Sequence, residues 1–398
     1  MENVSSSNGL EKYPKLRFLD SNGQEFSGWT RTVLGTIIVP FTEKVFGDHN
    51  YEVLTSSRNG IQRQSEHFAG KQRHDTDGYN IIPRGYCTYR NRSDDGLFTF
   101  NMNNIVDEGI VSKFYPVFTF QNANSTFMME YLNGSPRVRA KLSVLAVGTS
   151  QVVLSFETLK ETSFYLPTFE EQNRIAALLS TLNERIEKQR LLIEHLKKYK
   201  RGLHKQVFSP KPHWSVKPLR DIATFCGGGT PSKDVSKYWQ GSIGWISSSD
   251  VQEDWIDEIS ISRRITEEAI ANSATKLCSK GTIAIISRVG VGKVAIMPED
   301  LCTSQDYTNI TTIDGDVTFF AYQIAHKMKI EASKTQGTAI KGVTADTIKS
   351  MEMDIPDLHE QCKIATTLQK LDYRIKYEIQ LLTLLQSAKR SLLQQLFI

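Results

Sequence analysis

Catalytic signatures are what this 398-residue chain most clearly lacks. It holds no GxxxxGK[ST] phosphate loop, no HExxH and no GxSxG, which removes the chemistries those spacings support. An NPPY-type tetrapeptide of the kind amino-methyltransferases use is missing, as is a nuclease carboxylate cluster followed by ExK. Cysteine is sparse: Cys87, Cys226, Cys278, Cys302 and Cys362 show no CxxC or Cys/His ligand spacing, which argues against structural zinc and against a disulfide framework. The eight histidines are dispersed. No run approaches the ~20 apolar residues of a membrane span, and the first residues are polar where a signal peptide would be apolar, so a cytoplasmic location is expected. A net charge of +4 is too small to identify a partner, and any polyanion site must come from local clustering. Gly290, Gly292 and Ala295 imitate a GxGxxA fingerprint, but MetProGluAsp follows where a dinucleotide fold needs a helix. The chain reads as a reader and organiser, with no catalytic site of its own.

What it does have is a repeat. Residues 166–209 align without a gap on residues 355–398 at a constant offset of 189, with Pro167, Glu171, Gln172, Ile175, Ala176, Leu179, Arg185, Lys200 and Phe208 among the residues that recur unchanged. The register extends back to Gly148 and Thr149, which recur as Gly337 and Thr338. Within each copy the apolar residues step by four and three: Ile175, Leu179, Leu182, Ile186, Ile193, Leu196, and again Ile364, Leu368, Leu371, Ile375, Leu382, Leu385. That is a helical seam near period 3.5. Each helix opens with a proline and a capping-box pattern, Thr168 with Glu171 and Asp357 with Glu360. Such a helix is about 55–60 Å long and cannot bury its stripe alone, so each copy is expected to pair antiparallel with the other about an approximate two-fold axis. Gln189 with Glu378 and Lys200 with Lys389 interrupt both seams at the same places, as register-setting residues do. An ordinary helical hairpin or a dimerisation zipper is the plainer alternative.

The stretches before the helices resemble each other only faintly, in Trp29, Leu34 and Ile37 against Trp214, Leu219 and Ile222. Both mix short β-like runs (36–39, 282–286, 293–297) with turn-rich loops, so the expected fold class is α/β: two strand-rich α/β domains separated by two long antiparallel coiled-coil helices in a pseudo-two-fold repeat. Between residues 58 and 92 of the first domain, Arg58, Arg63, Lys71, Arg73, Arg84, Arg90 and Arg92 stand against only Glu66, Asp75 and Asp77, with Asn59, Gln62, Gln64, Gln72 and Asn91 interleaved. Arg, Asn and Gln are the side chains that contact guanine and adenine edges in pairs of hydrogen bonds, and Tyr79, Tyr86 and Tyr89 offer stacking or phosphate contacts. In the second domain three loops carry glycine and a cation: 227–233 with Gly228, Thr230 and Lys233; 287–293 with Arg288 and Lys293; and 334–341 with Lys334 and Lys341. Glycines let backbone amides approach phosphates while the cations supply countercharge.

These residues carry a resemblance. Two variable domains, each followed by a helix opening with ProThrPheGluGluGln (167–172) or ProAspLeuHisGluGln (356–361) and then IleAla, resemble the DNA specificity subunit of type I restriction-modification systems. TyrProLysLeuArgPhe (13–18) and GlyGlyThrProSer (228–232) are also similar to members of that family. The resemblance implies target recognition domains at residues 1–154 and 210–343 and helical spacers at 155–209 and 344–398. It implies that each variable domain reads one half of a bipartite sequence in double-stranded DNA and that the helices set the gap. Two methyltransferase subunits would dock on the helices, through Ile175, Leu179, Leu182, Ile186, Leu196, Ile364, Leu368, Leu371, Ile375 and Leu385, and ATP-dependent restriction subunits would join them. S-adenosylmethionine, ATP and Mg would then lie on those partners, with no cofactor or metal in this chain. The alternative is a non-catalytic protein-interaction scaffold with two binding domains on a coiled coil.

Overall fold

A computed structural model describes residues 14–67, 75–334 and 342–397. The chain divides into two compact units, Met1–Arg190 with Leu381–Ile398, and Leu191–Gln380. In the first, β1 (Thr30–Val33) leads to β2 (Ile38–Phe41), β3 (Glu52–Ser57), β4 (Gly60–Arg63) and a short helix α1 (Gln64–His67). Then come β5 (Asn80–Pro83), β6 (Cys87–Tyr89), β7 (Arg92–Ser93), β8 (Phe100–Met102), β9 (Glu108–Val111) and β10 (Val117–Phe120). Helices α2 (Ser125–Gly134) and α3 (Pro136–Leu145), strand β11 (Val152–Val153), helix α4 (Phe156–Glu161) and strand β12 (Ser163–Leu166) precede the long helix α5 (Phe169–Val207). One sheet has the order β2-β10-β6-β8, and a second has the order β4-β3-β9-β5 with β3 and β9 parallel.

The second unit runs β13 (Ser215–Pro218), β14 (Ala223–Gly227), β15 (Ile243–Ile246), β16 (Arg263–Ile265), α6 (Glu267–Ala271), β17 (Leu277–Cys278), β18 (Ile283–Ile286) and β19 (Val294–Ile296). It continues through β20 (Leu301–Thr303), β21 (Tyr307–Ile313), α7 (Val317–Lys334), α8 (Ala345–Lys349) and β22 (Glu352–Ile355) to the second long helix, α9 (Leu358–Leu396). Its sheets are β14-β21-β18-β19 and β16-β15-β20-β17, the latter with β15 and β20 parallel. Strand for strand these are the orders of the first unit. The antiparallel pairs β1–β12 and β13–β22 close each unit in the same way. The faint sequence echo is therefore a repeat of the whole fold. Identity is lost because the first core is packed with Tyr89, Phe100 and Phe118 where the second uses Ile283, Ile285, Val294 and Ile310. Aromatic and β-branched residues both suit a half-buried pleated strand.

Both long helices have 39 residues. The first unit's core takes Ile175, Ala176 and Leu179 from the start of α5 together with Leu396 and Phe397 from the end of α9. The second unit's core takes Phe208, with Leu203 and Val207, from the end of α5 and Ile364, Ala365 and Leu368 from the start of α9. In each unit the two segments therefore run antiparallel. The repeated lysines lie in matching networks: Lys389 Nζ meets Glu130 Oε2 at 3.0 Å, with Asn183 donating to Glu130 at 2.7 Å, while Lys200 Nζ meets Asp372 at 2.6 Å, with the Tyr322 hydroxyl donating to Asp372 at 2.8 Å. Each lysine ties its helix to a carboxylate within its own unit.

The Glu-Gln pair of the helix start explains itself in the same terms. Gln172 donates to the Pro167 carbonyl and accepts from the amide of Asn124, the N-cap residue of α2. Gln361 donates to Pro356 and accepts from the amide of Asp316, whose carboxylate in turn caps Phe319 at the start of α7. One buried amide thus fastens two helix starts together. The capping boxes are only half realised. Thr168 and Asp357 accept from the amides of Glu171 and Glu360 as expected, but the glutamate side chains turn elsewhere. Glu171 takes two hydrogen bonds from Arg17, and Glu360 takes Lys211 and the Trp214 indole N–H. A charged partner outcompetes the helix's own first amide for each glutamate. No helix among the described residues is long and apolar enough to cross a membrane.

Candidate nucleic-acid interface

The basic residues of the first unit separate into neutralised and free cations. Arg58 bonds Asp95 at 2.6 Å, Arg63 bonds Glu52 at 2.5 Å and Arg84 bonds Asp107 at 2.9 Å. Arg90 and Arg92 are exposed, and among the described residues neither has a carboxylate partner. The Arg92 guanidinium lies 5.5 Å from the centre of the Phe114 ring. Lys71 and Arg73 fall outside the described residues. Of the tyrosines, Tyr89 is fully buried, its hydroxyl donating to the Leu154 carbonyl at 3.0 Å, so it is core and cannot stack on a base.

Arg90 directly follows β6 and Arg92 lies on β7, so both belong to the loop that joins β6 to the edge strand β8. The bend at Asn91 brings both side chains to one recess. With Arg58 they line a recess of about 320 Å³ whose other walls include Thr55, Ser56, Ser57, Ser93, Thr99 and Tyr115. Guanidinium groups over a floor of hydroxyls form a donor-rich surface suited to nucleic acid. Sequence reading missed the hydroxyl residues, which carry no periodic or charge signal. The loop is braced from behind: β7 pairs with β11, Gln151 donates to Asp94 at 2.9 Å, and Asp95 accepts from the Ser93 hydroxyl, the Leu97 amide and Arg58. Those hydrogen bonds, the Ser93 hydroxyl's first, hold the Asp95 carboxyl below the usual range.

In the second unit the three glycine loops have different fates. Gly228 lies against its own fold: a Cβ there would stand 2.0 Å from the Ser304 carbonyl oxygen, so glycine is needed for internal packing. Thr230 donates to Gln305, while Lys233 is exposed. Lys293 is turned inward, donating to the Ser248 and Val251 carbonyls at 3.3 and 3.0 Å, and is a brace where the sequence suggested a phosphate contact. Arg288 and Val289 are exposed on the loop joining β18 to the edge strand β19. Lys341 lies outside the described residues, and nothing is described of the Lys334 side chain. The GxGxxA imitation is this same loop, with Gly290 and Gly292 at φ 84° and 102° and a strand in place of the helix a dinucleotide would need.

The helical seam is consumed internally. Ile175, Leu179, Ile186, Ile364, Leu368 and Ile375 are buried, and Leu182, Leu196, Leu371 and Leu385 half-buried. The apolar side chains the long helices leave exposed are others, among them Leu384, Tyr199, Tyr373, Leu358 and Tyr377. A further cavity of about 220 Å³ in the second unit is lined by Lys197, Lys200, Arg201 and His204 of α5, Trp255, and His326 and Lys329 of α7. Burial, then the neighbouring Lys200, pushes the His204 imidazole down to about 3.

Comparison with known proteins gives these features a setting. Residues 47–195 and 212–386 match the family model for the type I restriction modification DNA specificity domain. The MjaIX specificity subunit of Methanocaldococcus jannaschii, a type I restriction enzyme component, is 36% identical over 165 residues, 40% of this chain and 38% of that protein. The EcoR124I/EcoR124II specificity subunit of Escherichia coli is 30% identical over 164 residues, 39% of this chain and 40% of that protein. The chain thus spans about two fifths of the length of these curated relatives. Among solved structures, the S subunit of a type I restriction-modification system from M. genitalium superimposes with a TM-score of 0.60 at 15% identity, covering 97% of this chain and 99% of that one. A chain solved to explain complex assembly and conformational transition of the type I system gives a TM-score of 0.58 at 17% identity, covering 94% and 98%. At these identities the likeness is one of fold.

Proposed function

The chain belongs to the type I restriction-modification DNA specificity family, and on that basis we propose that it is the non-catalytic subunit that selects the DNA sequence on which a methyltransferase and restriction complex acts. Each unit's strand-rich domain reads one half of a bipartite site. The observation that carries this reading is the pairing of two identical strand orders with unlike loops: β2-β10-β6-β8 and β14-β21-β18-β19 are one frame, but the loops after β6 and β18 share neither length nor sequence. A dimeric reader of one palindromic element would repeat its loops as well. Linking two readers in one chain turns the second contact into an intramolecular one, so joint affinity exceeds that of either half. Helices α5 and α9, each spanning roughly 58 Å at 1.5 Å per residue, set the gap between half-sites. Partner methyltransferase subunits carry S-adenosylmethionine and flip the target adenine, and ATP-driven restriction subunits join them.

Genome-wide mapping of N6-methyladenine in cells with and without this gene tests the proposal. Loss of one split motif, two short half-sites about a fixed unspecific gap, is the expected result. If no motif disappears while the cognate methyltransferase is present, the chain is a scaffold whose two domains bind proteins.

A further inference from the structure

We propose that the loops after β6 (residues 90–99) and after β18 (residues 287–293) are corresponding base-reading hairpins, one for each half-site, with Arg90 and Arg92 in the first and Arg288 in the second making the sequence-specific contacts. This rests on the DNA-reading function proposed above and narrows it to two loops and three side chains.

The correspondence comes from topology. In each unit the hairpin joins the third strand of a four-stranded sheet to its edge strand, β6 to β8 and β18 to β19. An edge hairpin is a two-stranded ribbon, and the DNA major groove admits such a ribbon. Both loops put arginine at the point where the chain leaves the sheet: Arg90 directly after β6, Arg288 two residues after β18. Nothing in the sequence alignment links these two positions, since the repeat recognisable in sequence does not reach them.

Charge selects the same residues. Arg58, Arg63 and Arg84 each sit against a carboxylate and Lys293 against two carbonyls, so their charge is already partnered within the fold. Among the described residues Arg90, Arg92 and Arg288 meet no carboxylate or carbonyl, which leaves them available to a ligand. Each loop is also stiffened from behind, the first by Asp94, Asp95 and the β7–β11 pair. The second is held by Ser287, whose amide and hydroxyl both donate to the Asp306 carbonyl, and by Lys293. A guanidinium on a braced loop loses less freedom when it forms the paired hydrogen bonds to guanine O6 and N7. Within this common arrangement the ten residues of one loop and the seven of the other are unrelated, as two different half-sites require.

The test uses the full chain expressed with its cognate methyltransferase, comparing wild type with Arg90→Ala, Arg92→Ala, Arg288→Ala and the charge-keeping Arg90→Lys and Arg288→Lys. The readouts are methyladenine mapping, DNA affinity as a function of salt, and thermal melting to establish folding. Arg288→Ala should relax one position of one half-site by about 10- to 100-fold and leave the other half-site intact. Arg90→Ala or Arg92→Ala should do the same in the opposite half-site, with lysine failing to restore a guanine preference. If both half-sites stay unchanged while affinity for every sequence falls together and the salt slope drops by about one, the arginines hold phosphates and the proposal is overturned. An unchanged motif with unchanged affinity overturns it equally. In either case the wild-type split motif still stands and the specificity reading survives. Absence of a split motif in the wild type would sink that reading and this one with it.

Discussion

Replacing Gln172 with leucine probes the joint that fastens the first unit to its long helix. The side chain is 3% exposed, accepts from the Asn124 amide at 2.9 Å and donates to the Pro167 carbonyl at 3.0 Å. Leucine fills most of the same volume, so the cavity contribution is small and the loss is electrostatic. Two backbone groups are left without partners, each costing about 1–3 kcal/mol where water cannot reach. Asn124 lies only partly buried, which lowers its share, and the expected total is about 2–4 kcal/mol. For a unit of this size that corresponds to a melting point lower by roughly 5–15 °C. Gln361 makes the same two bonds in the second unit, both at 2.9 Å, and Gln361→Leu should cost the same to within about 1 kcal/mol. Urea unfolding of the two single variants and of the double variant measures this, with additive losses expected because the sites share no partner. A loss below about 1 kcal/mol at both sites would refute the view that this repeated glutamine is an essential fastener.

Two further predictions concern the second unit. Gly228→Ala places a Cβ against the Ser304 carbonyl oxygen and Thr303, and should destabilise the unit by more than about 3 kcal/mol in urea unfolding; normal stability with weakened DNA binding would instead mean that this glycine admits a phosphate. His204 is neutral when folded, its pKa depressed from 6.5 to about 3 first by burial and then by Lys200, His326 and Lys329. The unfolded state therefore binds the extra proton between those values, so stability present above about 6.5 is lost as pH falls toward about 3. His204→Phe should remove on the order of 1–2 kcal/mol of the stability difference between about pH 7 and pH 5, and an identical pH slope in the variant would contradict the assignment.

Much of the long-helix architecture was legible in the sequence, because a helix is written in contacts three and four residues apart. The seam from Ile175 to Leu196 and from Ile364 to Leu385 and the caps at Thr168 and Asp357 follow from such short spacings, and the antiparallel expectation from the repeat at offset 189. The equivalence of the two strand-rich domains was not legible. Buried strand positions ask only for apolar, sheet-compatible side chains, so an aromatic core and an aliphatic core can occupy one frame with almost no shared identity. Nor could charge clustering separate the free arginines from the spent ones. Arg63 and Arg90 look alike in sequence, and they differ only because Glu52 is folded against one of them.

By itself, then, the sequence determined that this protein has two halves ending in matched helices. Tertiary structure alone decided where the long-range partners fall. Glu171 meets Arg17 across 154 residues of chain, Glu360 meets Lys211 across 149, and Lys293 turns inward to Val251 across 42. Local pattern reports what a segment prefers to be. Which cation remains free to meet a ligand depends on which distant carboxylate or carbonyl the fold brings beside it, and no local spacing encodes that.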